Sequence, residues 1–144
     1  MSKAFTKDDE GPPPAPPRRR GIPVPDPNFV TPAGAAAARA ELDRLVSGGG
    51  DPDRIRELSD HLATALVVPP DDRGAVGLGA TVTIESESGE RRSYCFVGAI
   101  EADVKRGRLS WQSELASALW GARVGETVEL PRGDEVEIVE IAYH

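Results

Sequence analysis

Cysteine and histidine, which often serve as nucleophiles, bases or metal ligands, are few in this 144-residue sequence. The single cysteine, Cys95, lies in an apolar run, and the two histidines, His61 and His144, stand far apart. One thiol and two distant imidazoles do not have the spacing of a metal site. We find no nucleophile paired with a base, and the glycine run at 48–50 does not follow a strand, as a phosphate-binding loop would. We therefore predict a protein that is not an enzyme and uses no metal or cofactor.

Asp51 and Asp53 are the exception, because two carboxylates with bound water can hold Mg²⁺. Both stand at the turn between two predicted helices. Asp51 also suits a helix N-cap, and Asp53 suits the first helical turn, where the helix dipole favours an acid. We prefer the capping interpretation and keep a magnesium-dependent reaction at these two acids as the alternative.

A charged loop follows the predicted strand over residues 91–99. It contains Glu101, Asp103 and Lys105 and connects two predicted strands. Asp103 has two interpretations, a contact with a partner or a turn aspartate that hydrogen-bonds its own backbone.

Trp111 and Ser113 follow the charged loop, and each has two interpretations, a contact with a partner or a role within the molecule. Trp is enriched at binding hot spots, although Trp111 and Trp120 also suit packing. Ser113 also suits the N-cap of a short helix that ends at Gly121. The apolar face of that helix is predicted to consist of Leu115, Ala116, Leu119 and Trp120.

Two longer helices precede this region and are predicted to form an antiparallel hairpin. The first is capped by Thr31 and runs to about Val46, and the second starts at Asp51 and runs to about Leu66. Each has an apolar seam, formed by Ala35, Ala38, Leu42 and Leu45 in the first and by Ile55, Leu58, Leu62 and Ala65 in the second. At about 1.5 Å per residue the hairpin is roughly 20 Å long.

The remaining C-terminal segments alternate as strands and predict an α+β body. The predicted strands cover residues 81–85, 91–99, 127–130 and 135–143, with a short one after the charged loop. Cys95 is expected to be a buried thiol. The apolar residues of the last strand do not alternate perfectly, which predicts either a bulge or burial on both faces.

Composition divides the chain into three parts. Residues 1–29 form a proline-rich tail that we predict to be disordered, residues 30–70 the hairpin and residues 71–144 the body. We interpret the Arg18–Arg20 run of the tail as a solubilising linker rather than a contact with nucleic acid or an acidic surface.

The net charge is −7, and residues 71–144 contribute −6 of it. Because phosphates repel such a body, a basic protein surface is the better partner. No signal peptide or membrane span is evident, so we expect a cytoplasmic protein.

The sequence from Val97 to Leu130 resembles the C-terminal domain of the GreA/GreB transcript-cleavage factors. The matching residues are Glu101, Ala102, Asp103, Lys105, Gly107, Leu109, Ser110, Ser113, Ala116, Ala118, Leu119, Gly121, Gly125, Glu126 and Val128. The resemblance is close over residues 77–144 and looser over 28–70, where the wording TPAG resembles the start of the family's N-terminal arm. One departure is Glu114, where the family usually has proline.

The resemblance implies an FKBP-like antiparallel sheet with one short helix, preceded by a helical arm. It also implies RNA polymerase as the partner, bound at the rim of the secondary channel through Asp103, with Glu101 and Lys105 beside it. The family's arm is much longer than this hairpin. Its tip carries two acids that hold a catalytic magnesium ion, in a wording close to G-D-L-S-E-N-A-E-Y that this chain lacks.

We therefore expect a short-armed homologue similar to the Rnk type. Such a protein would be a monomer that binds polymerase, meets nucleic acid only indirectly through the transcription complex, and competes with cleavage factors without cleaving the transcript. Two alternatives stay open. One is a genuine cleavage factor that uses Asp51 and Asp53, and the other is an adaptor whose partner is not polymerase.

Overall fold

The computed structural model describes residues 21–143. Its helices are α1 (Pro32–Gly48), α2 (Pro52–Ala63) and α3 (Glu114–Leu119), and within the described residues no helix has the length and apolar character to cross a membrane. Its strands are β1 (Phe29–Val30), β2 (Leu66–Val67), β3 (Ala80–Ser86), β4 (Arg91–Val97), β5 (Arg108–Ser110), β6 (Thr127–Glu129) and β7 (Glu135–Tyr143). Most of the predicted tail, including the Arg18–Arg20 run, and the terminal His144 lie outside the described residues.

Both long helices begin as the sequence predicts. The Thr31 hydroxyl accepts a hydrogen bond from the Gly34 N–H at 2.9 Å, and the Asp51 carboxylate accepts one from the Asp53 N–H at 3.0 Å. A proline occupies the first turn of each helix. At the other end of α1, Gly49 adopts a φ of 70°, in the left-handed region that glycine enters without strain. The caps satisfy N–H groups that have no partner within the helix, so these N-cap predictions are confirmed.

The end of α2 differs from the prediction. The helix stops at Ala63 rather than near Leu66, because Leu66 begins β2, which pairs in parallel with β1. The Leu66 N–H donates to the Asn28 carbonyl at 2.8 Å, and the Val68 N–H donates to the Val30 carbonyl at 3.0 Å. This two-stranded sheet, which the sequence analysis did not predict, ties the start of α1 to the end of α2.

The two helices pack through the predicted seam. Ala38 and Leu58 are buried at its centre, and Ala35, Leu42, Leu45, Leu62 and Ala65 pack around them. Arg54 of α2 joins the helices by pairing with Glu41 of α1 at 2.8 Å. The hydrogen bond from Arg54 lowers the pKa of Glu41.

The body is a five-stranded sheet in the order β5-β4-β3-β7-β6. β4 and β5 are parallel, and the other neighbours are antiparallel. The parallel pair arises because the charged loop doubles back, so that β5 starts beside Cys95 of β4. The predicted α+β class is confirmed, and the sheet is mixed rather than purely antiparallel.

β7 contains the irregularity that its sequence suggests. Thr83 of β3 pairs with Glu140, whereas the next residue, Ile84, pairs with Ile138. Val139 is therefore an extra residue, as in a β-bulge. The bulge explains why the apolar residues of β7 do not alternate regularly.

One face of the sheet is covered by α3. Its residues Ala116 and Leu119 are fully buried, and from the sheet the same core contains Val82, Phe96 and Ile138. Full burial of a side chain the size of Leu119 contributes about 1.5–3 kcal/mol. This short helix therefore depends on its apolar face for stability.

Two side chains that the sequence assigned to apolar surroundings are partly exposed. Trp120 follows the last residue of α3 and is 44% exposed, with its ring 6.4 Å from that of Phe96. Cys95 is half-buried rather than buried, and its Sγ lies 4.0 Å from the Gly79 carbonyl oxygen.

The segment that links the hairpin to the body is held at two points. The Tyr143 hydroxyl donates to the Ala75 carbonyl at 2.6 Å, and burial raises the pKa of Tyr143. Arg123 pairs with Asp72 at 2.5 Å. The pKa of Asp72 is lowered mainly by the hydrogen bond from the Gly74 N–H and, to a smaller extent, by the hydrogen bond from Arg123.

Candidate functional site

The charged loop is closed by its own backbone. It contains two single turns of 3₁₀-helix, Ala99–Glu101 and Val104–Arg106. The Asp103 N–H donates to the Arg108 carbonyl at 2.8 Å, and the Arg108 N–H donates back to the Asp103 carbonyl at 2.9 Å. Gly107 completes the turn with a φ of 74°, which costs glycine little. These bonds hold the side chains between Asp103 and Arg108 in a defined arrangement.

The carboxylate of Asp103 lies at the surface. Its side chain is 45% exposed, and its Oδ2 lies 3.5 Å from Nε of Arg106. The carboxylate makes no hydrogen bond that caps the turn it begins. The turn-aspartate interpretation therefore does not describe this geometry, and Asp103 can accept a hydrogen bond from a partner.

Val104 and Lys105 lie beside Asp103 and are also exposed. Val104 is 76% exposed, more than any other large apolar side chain among the described residues. We call residues 103–105 the loop apex. It presents an acid, an apolar side chain and a base next to one another.

Glu101 has a different environment from the one that we predicted, because its carboxylate is bound within the molecule. Its Oε2 accepts hydrogen bonds from the N–H groups of Thr31 and Gly98, both at 2.9 Å. Its Oε1 accepts one from the Thr31 hydroxyl at 2.5 Å. A Cβ at Gly34 would overlap this carboxylate, so glycine is required for the close approach. We call these four residues the Glu101 bridge, and it joins the charged loop to the start of α1.

Sequence reasoning missed the Glu101 bridge although it singled out its members. Thr31 was identified as a cap, and Glu101 as a surface acid. The two residues are 70 positions apart, so no local pattern pairs them. The available signal was that TPAG and the charged loop both resemble the same family.

Trp111 and Ser113 are also engaged within the molecule. The ring of Trp111 lies 5.2 Å from that of Phe29 at an interplanar angle of 57°. Its indole nitrogen is buried and has no hydrogen-bond partner in the described part of the chain. The Ser113 hydroxyl caps α3 by accepting from the Ala116 N–H at 3.2 Å. The structure therefore brings Asp103 and Lys105 together at the surface and gives Glu101, Trp111 and Ser113 internal contacts.

The tip of the hairpin carries the other two predicted acids. Asp51 and Asp53 are both exposed, and Asp51 serves as the cap of α2. Across residues 21–143 no group of three or more histidine, cysteine, aspartate or glutamate side chains is arranged to hold a metal ion. His61 is buried instead, with Nε2 2.9 Å from the Ile22 carbonyl oxygen.

Charge is distributed unevenly across the sheet. The edge formed by β4, β5 and the charged loop carries exposed cations, namely Arg91, Arg92, Lys105, Arg106 and Arg108. The opposite side carries exposed acids, namely Glu126, Glu129, Glu135, Glu137 and Glu140. The candidate site is thus the basic side of an acidic protein.

The segment that contains the charged loop is similar to known proteins. Residues 70–143 match the family model described as the C-terminal part of the transcription elongation factor GreA/GreB. The transcription elongation factor GreB of Neisseria meningitidis serogroup B is 33% identical over an alignment of 153 positions. The alignment covers 81% of this chain and 94% of that protein. The chain belongs to the GreA/GreB family. The family that its residues suggested is thereby confirmed.

Relatives within the GreA/GreB family are longer than this chain. The GreA of Nautilia profundicola is 45% identical over 96 residues, which cover 62% of this chain and 59% of that protein, so the chain spans about three fifths of the length of that relative. The GreB comparison extends over 153 residues, more than this whole chain, so GreB has residues that the chain lacks. A solved GreA/GreB structure from Nitrosomonas europaea is 28% identical, covers 81% of this chain and 99% of its own, and has a TM-score of 0.45.

Proposed function

We propose that this GreA/GreB-family protein binds RNA polymerase at the rim of the secondary channel and regulates elongation without cleaving the transcript. The loop apex carries the proposal. It presents exposed side chains of three chemical kinds on a loop closed by backbone hydrogen bonds of 2.8 and 2.9 Å. A loop that is already ordered loses little conformational entropy when it binds.

Each residue of the loop apex has a distinct proposed role. Asp103 accepts a charge-assisted hydrogen bond from a basic group of polymerase, which replaces its 3.5 Å contact with Arg106. Val104 fills a small apolar depression, and Lys105 pairs with an acid at the margin of the interface. The net charge of −7 opposes binding to the phosphates of a nucleic acid, so the protein meets DNA and RNA only indirectly.

The short hairpin supports a regulator that does not cleave RNA. α1 has 17 residues and α2 has 12. At about 1.5 Å per residue these helices are roughly 25 and 18 Å long, so the tip enters the channel partway. Asp51 caps α2 and Asp53 lies in the first turn of that helix, where the helix dipole favours an acid, so both tip acids have a structural role. A cytoplasmic monomer of this shape competes with long-armed cleavage factors for the channel entrance.

Binding to purified core polymerase tests the role of the loop apex. We expect Asp103→Ala to weaken binding about tenfold, since one charged contact is lost. Asp134→Ala is the matched control, because Asp134 is an exposed acid in the turn between β6 and β7. Equal affinity of the Asp103→Ala variant and the wild type would exclude the proposed contact.

An RNA-release assay on backtracked polymerase tests the absence of cleavage. We expect the protein alone to release no 3′ RNA fragment and to suppress, in a dose-dependent way, the cleavage caused by a long-armed Gre factor. Cleavage by the protein alone that is lost in Asp51→Ala/Asp53→Ala would replace our proposal with the cleavage-factor alternative. Failure to bind polymerase at all would instead favour the adaptor.

A further inference from the structure

A groove of about 710 Å³ lies between the hairpin and the body. Residues from four parts of the chain line it: the first turn of α1, the linker, strands β3 and β4, and the end of the charged loop. This volume is within the range of small-molecule sites, roughly 300–1,000 Å³. The loop apex is not part of its lining.

Basic residues outnumber acidic ones in the lining of the groove, although the chain has a net charge of −7. Arg73, Arg106 and Arg108 line it. Among the described lining residues Glu101 is the one acid, and its oxygens already accept three hydrogen bonds. Arg106 lies 3.5 Å from Asp103, and within residues 21–143 Arg73 and Arg108 make no ion pair. The groove therefore has guanidinium groups without a matching number of internal anions.

The start of α1 adds to the positive charge of the lining. Pro32, Ala33 and Gly34 line the groove, and the first turn of this 17-residue helix contains no acid. The positive end of the helix dipole is therefore offset by the Glu101 carboxylate alone among the described residues near it. An anion in the groove would meet both the arginines and the helix end.

We propose that this groove binds a diphosphate group, either as inorganic pyrophosphate or as part of a nucleotide. A guanidinium donates two parallel hydrogen bonds to phosphate oxygens, and three arginines match the several charges that two linked phosphates carry. The groove lies between the hairpin and the body and has a volume of about 710 Å³, which suits a small ligand better than a nucleic acid. Its volume accommodates a nucleoside beside the diphosphate.

A bound diphosphate also affects the loop apex. Phosphate oxygens that recruit Arg106 draw it from Asp103, so the Asp103 carboxylate becomes freer to accept a hydrogen bond from a partner. This step rests on the proposed function, because it assumes that Asp103 contacts polymerase. By linkage, polymerase binding then raises the affinity for diphosphate by the same factor.

Calorimetric titration of the full chain with inorganic pyrophosphate, at low salt and without magnesium, tests the site. We expect saturable one-to-one binding with a Kd below about 1 mM, and sulfate at equal ionic strength should bind at least about tenfold more weakly. A parallel titration with ADP separates the sources. Tighter binding of ADP identifies a nucleotide as the ligand, and tighter binding of pyrophosphate identifies the free ion.

Two double variants distinguish binding in the groove from a non-specific effect of the protein's charge. Arg73→Ser/Arg108→Ser should weaken pyrophosphate binding at least about tenfold, since two guanidinium contacts are lost. Arg91→Ser/Arg132→Ser removes the same charge outside the groove and should leave binding unchanged. No saturation up to about 10 mM pyrophosphate, or an equal loss in both pairs, would overturn the proposal.

Separate measurements distinguish failure of the site from failure of the proposed function. Pyrophosphate binding needs no polymerase. If the protein binds pyrophosphate but not polymerase, the diphosphate proposal stands and only the proposed binding to polymerase is refuted. If the protein binds polymerase but not pyrophosphate, the proposal that the groove binds a diphosphate group is refuted. If the protein binds both pyrophosphate and polymerase, we expect pyrophosphate to raise the affinity of the wild type for core polymerase. The affinity of the Arg106→Ser variant for core polymerase should not change when pyrophosphate is added.

Discussion

Truncation of Glu101 to alanine is expected to destabilise the protein by about 2–4 kcal/mol. The carboxylate accepts three hydrogen bonds, and a bond to a charged group contributes about 1.5–3 kcal/mol, which sets a ceiling near 4.5–9 kcal/mol. Glu101 is partly exposed, so water reaches some of the released donors and the loss falls below that ceiling. Thr31 and Gly98 are buried, so their N–H groups are not fully rehydrated.

Urea unfolding followed by circular dichroism measures this loss. Glu101→Gln should cost less, because its amide oxygen can still accept from two N–H groups but carries no charge. Hydrogen exchange at the amides of Thr31 and Gly98 should accelerate in Glu101→Ala. Glu129→Ala, at an exposed position on β6, should change stability by no more than about 0.5 kcal/mol.

Gly34 supplies a second test of the Glu101 bridge. Alanine favours a helix over glycine by about 1 kcal/mol, but here its Cβ would overlap the Glu101 carboxylate. Gly34→Ala should therefore destabilise the wild type and be neutral or stabilising in the Glu101→Ala background. An equal effect of Gly34→Ala in both backgrounds, or a cost of Glu101→Ala below about 0.5 kcal/mol, would refute this account of the bridge.

Three other predictions concern the core, the cap of α2 and the ion pair of the hairpin. Leu119→Ala should lower stability by about 2–5 kcal/mol in thermal unfolding through the cavity that it leaves, and a loss below about 1 kcal/mol would contradict its full burial. Asp51→Ala should lower the free energy of unfolding, measured by urea denaturation, by about 1 kcal/mol. Asp51→Ser should retain most of the stability of the wild type because serine is also a good N-cap, whereas a metal-binding role for Asp51 would not predict this. Arg54 lowers the pKa of Glu41 below its ordinary 4.5, so the stability from this pair is complete above that pH and disappears as the pH falls through the lowered pKa. Arg54→Met should therefore show a weaker fall of the urea midpoint between about pH 5 and pH 3, and identical acid profiles would exclude the pair as a cause.

Much of the fold could be predicted from residues close together in the sequence. Thr31, Asp51 and Ser113 cap helices through hydrogen bonds that span two or three residues, so their types and positions were sufficient evidence. The apolar seam of the hairpin follows from helical periodicity. The apolar residues of β7 do not alternate regularly, and this pattern indicated a bulge as one of two possibilities. The family was evident from the charged loop and the short helix after it.

The candidate site was predictable in part for the same reason. The sequence placed Asp103 and Lys105 in one charged loop, because they are two positions apart. It could not decide whether the Asp103 carboxylate bonds its own turn, since this depends on the pairing of Asp103 with Arg108 in β5. Glu101, two residues before Asp103, was assigned to the same surface although its carboxylate binds the start of α1.

By itself, therefore, the sequence determined the helices with their caps, the α+β class and the GreA/GreB family, because each depends on neighbouring residues or on a recognisable order of residue types. Tertiary structure alone decided the pairing of β1 with β2, the Glu101 bridge and the groove with its three arginines. These features join residues tens of positions apart, such as Thr31 and Glu101 at a separation of 70. A hydrogen bond over such a separation forms when the packed chain offsets the entropy of closing the loop between its ends, and no local pattern records that balance.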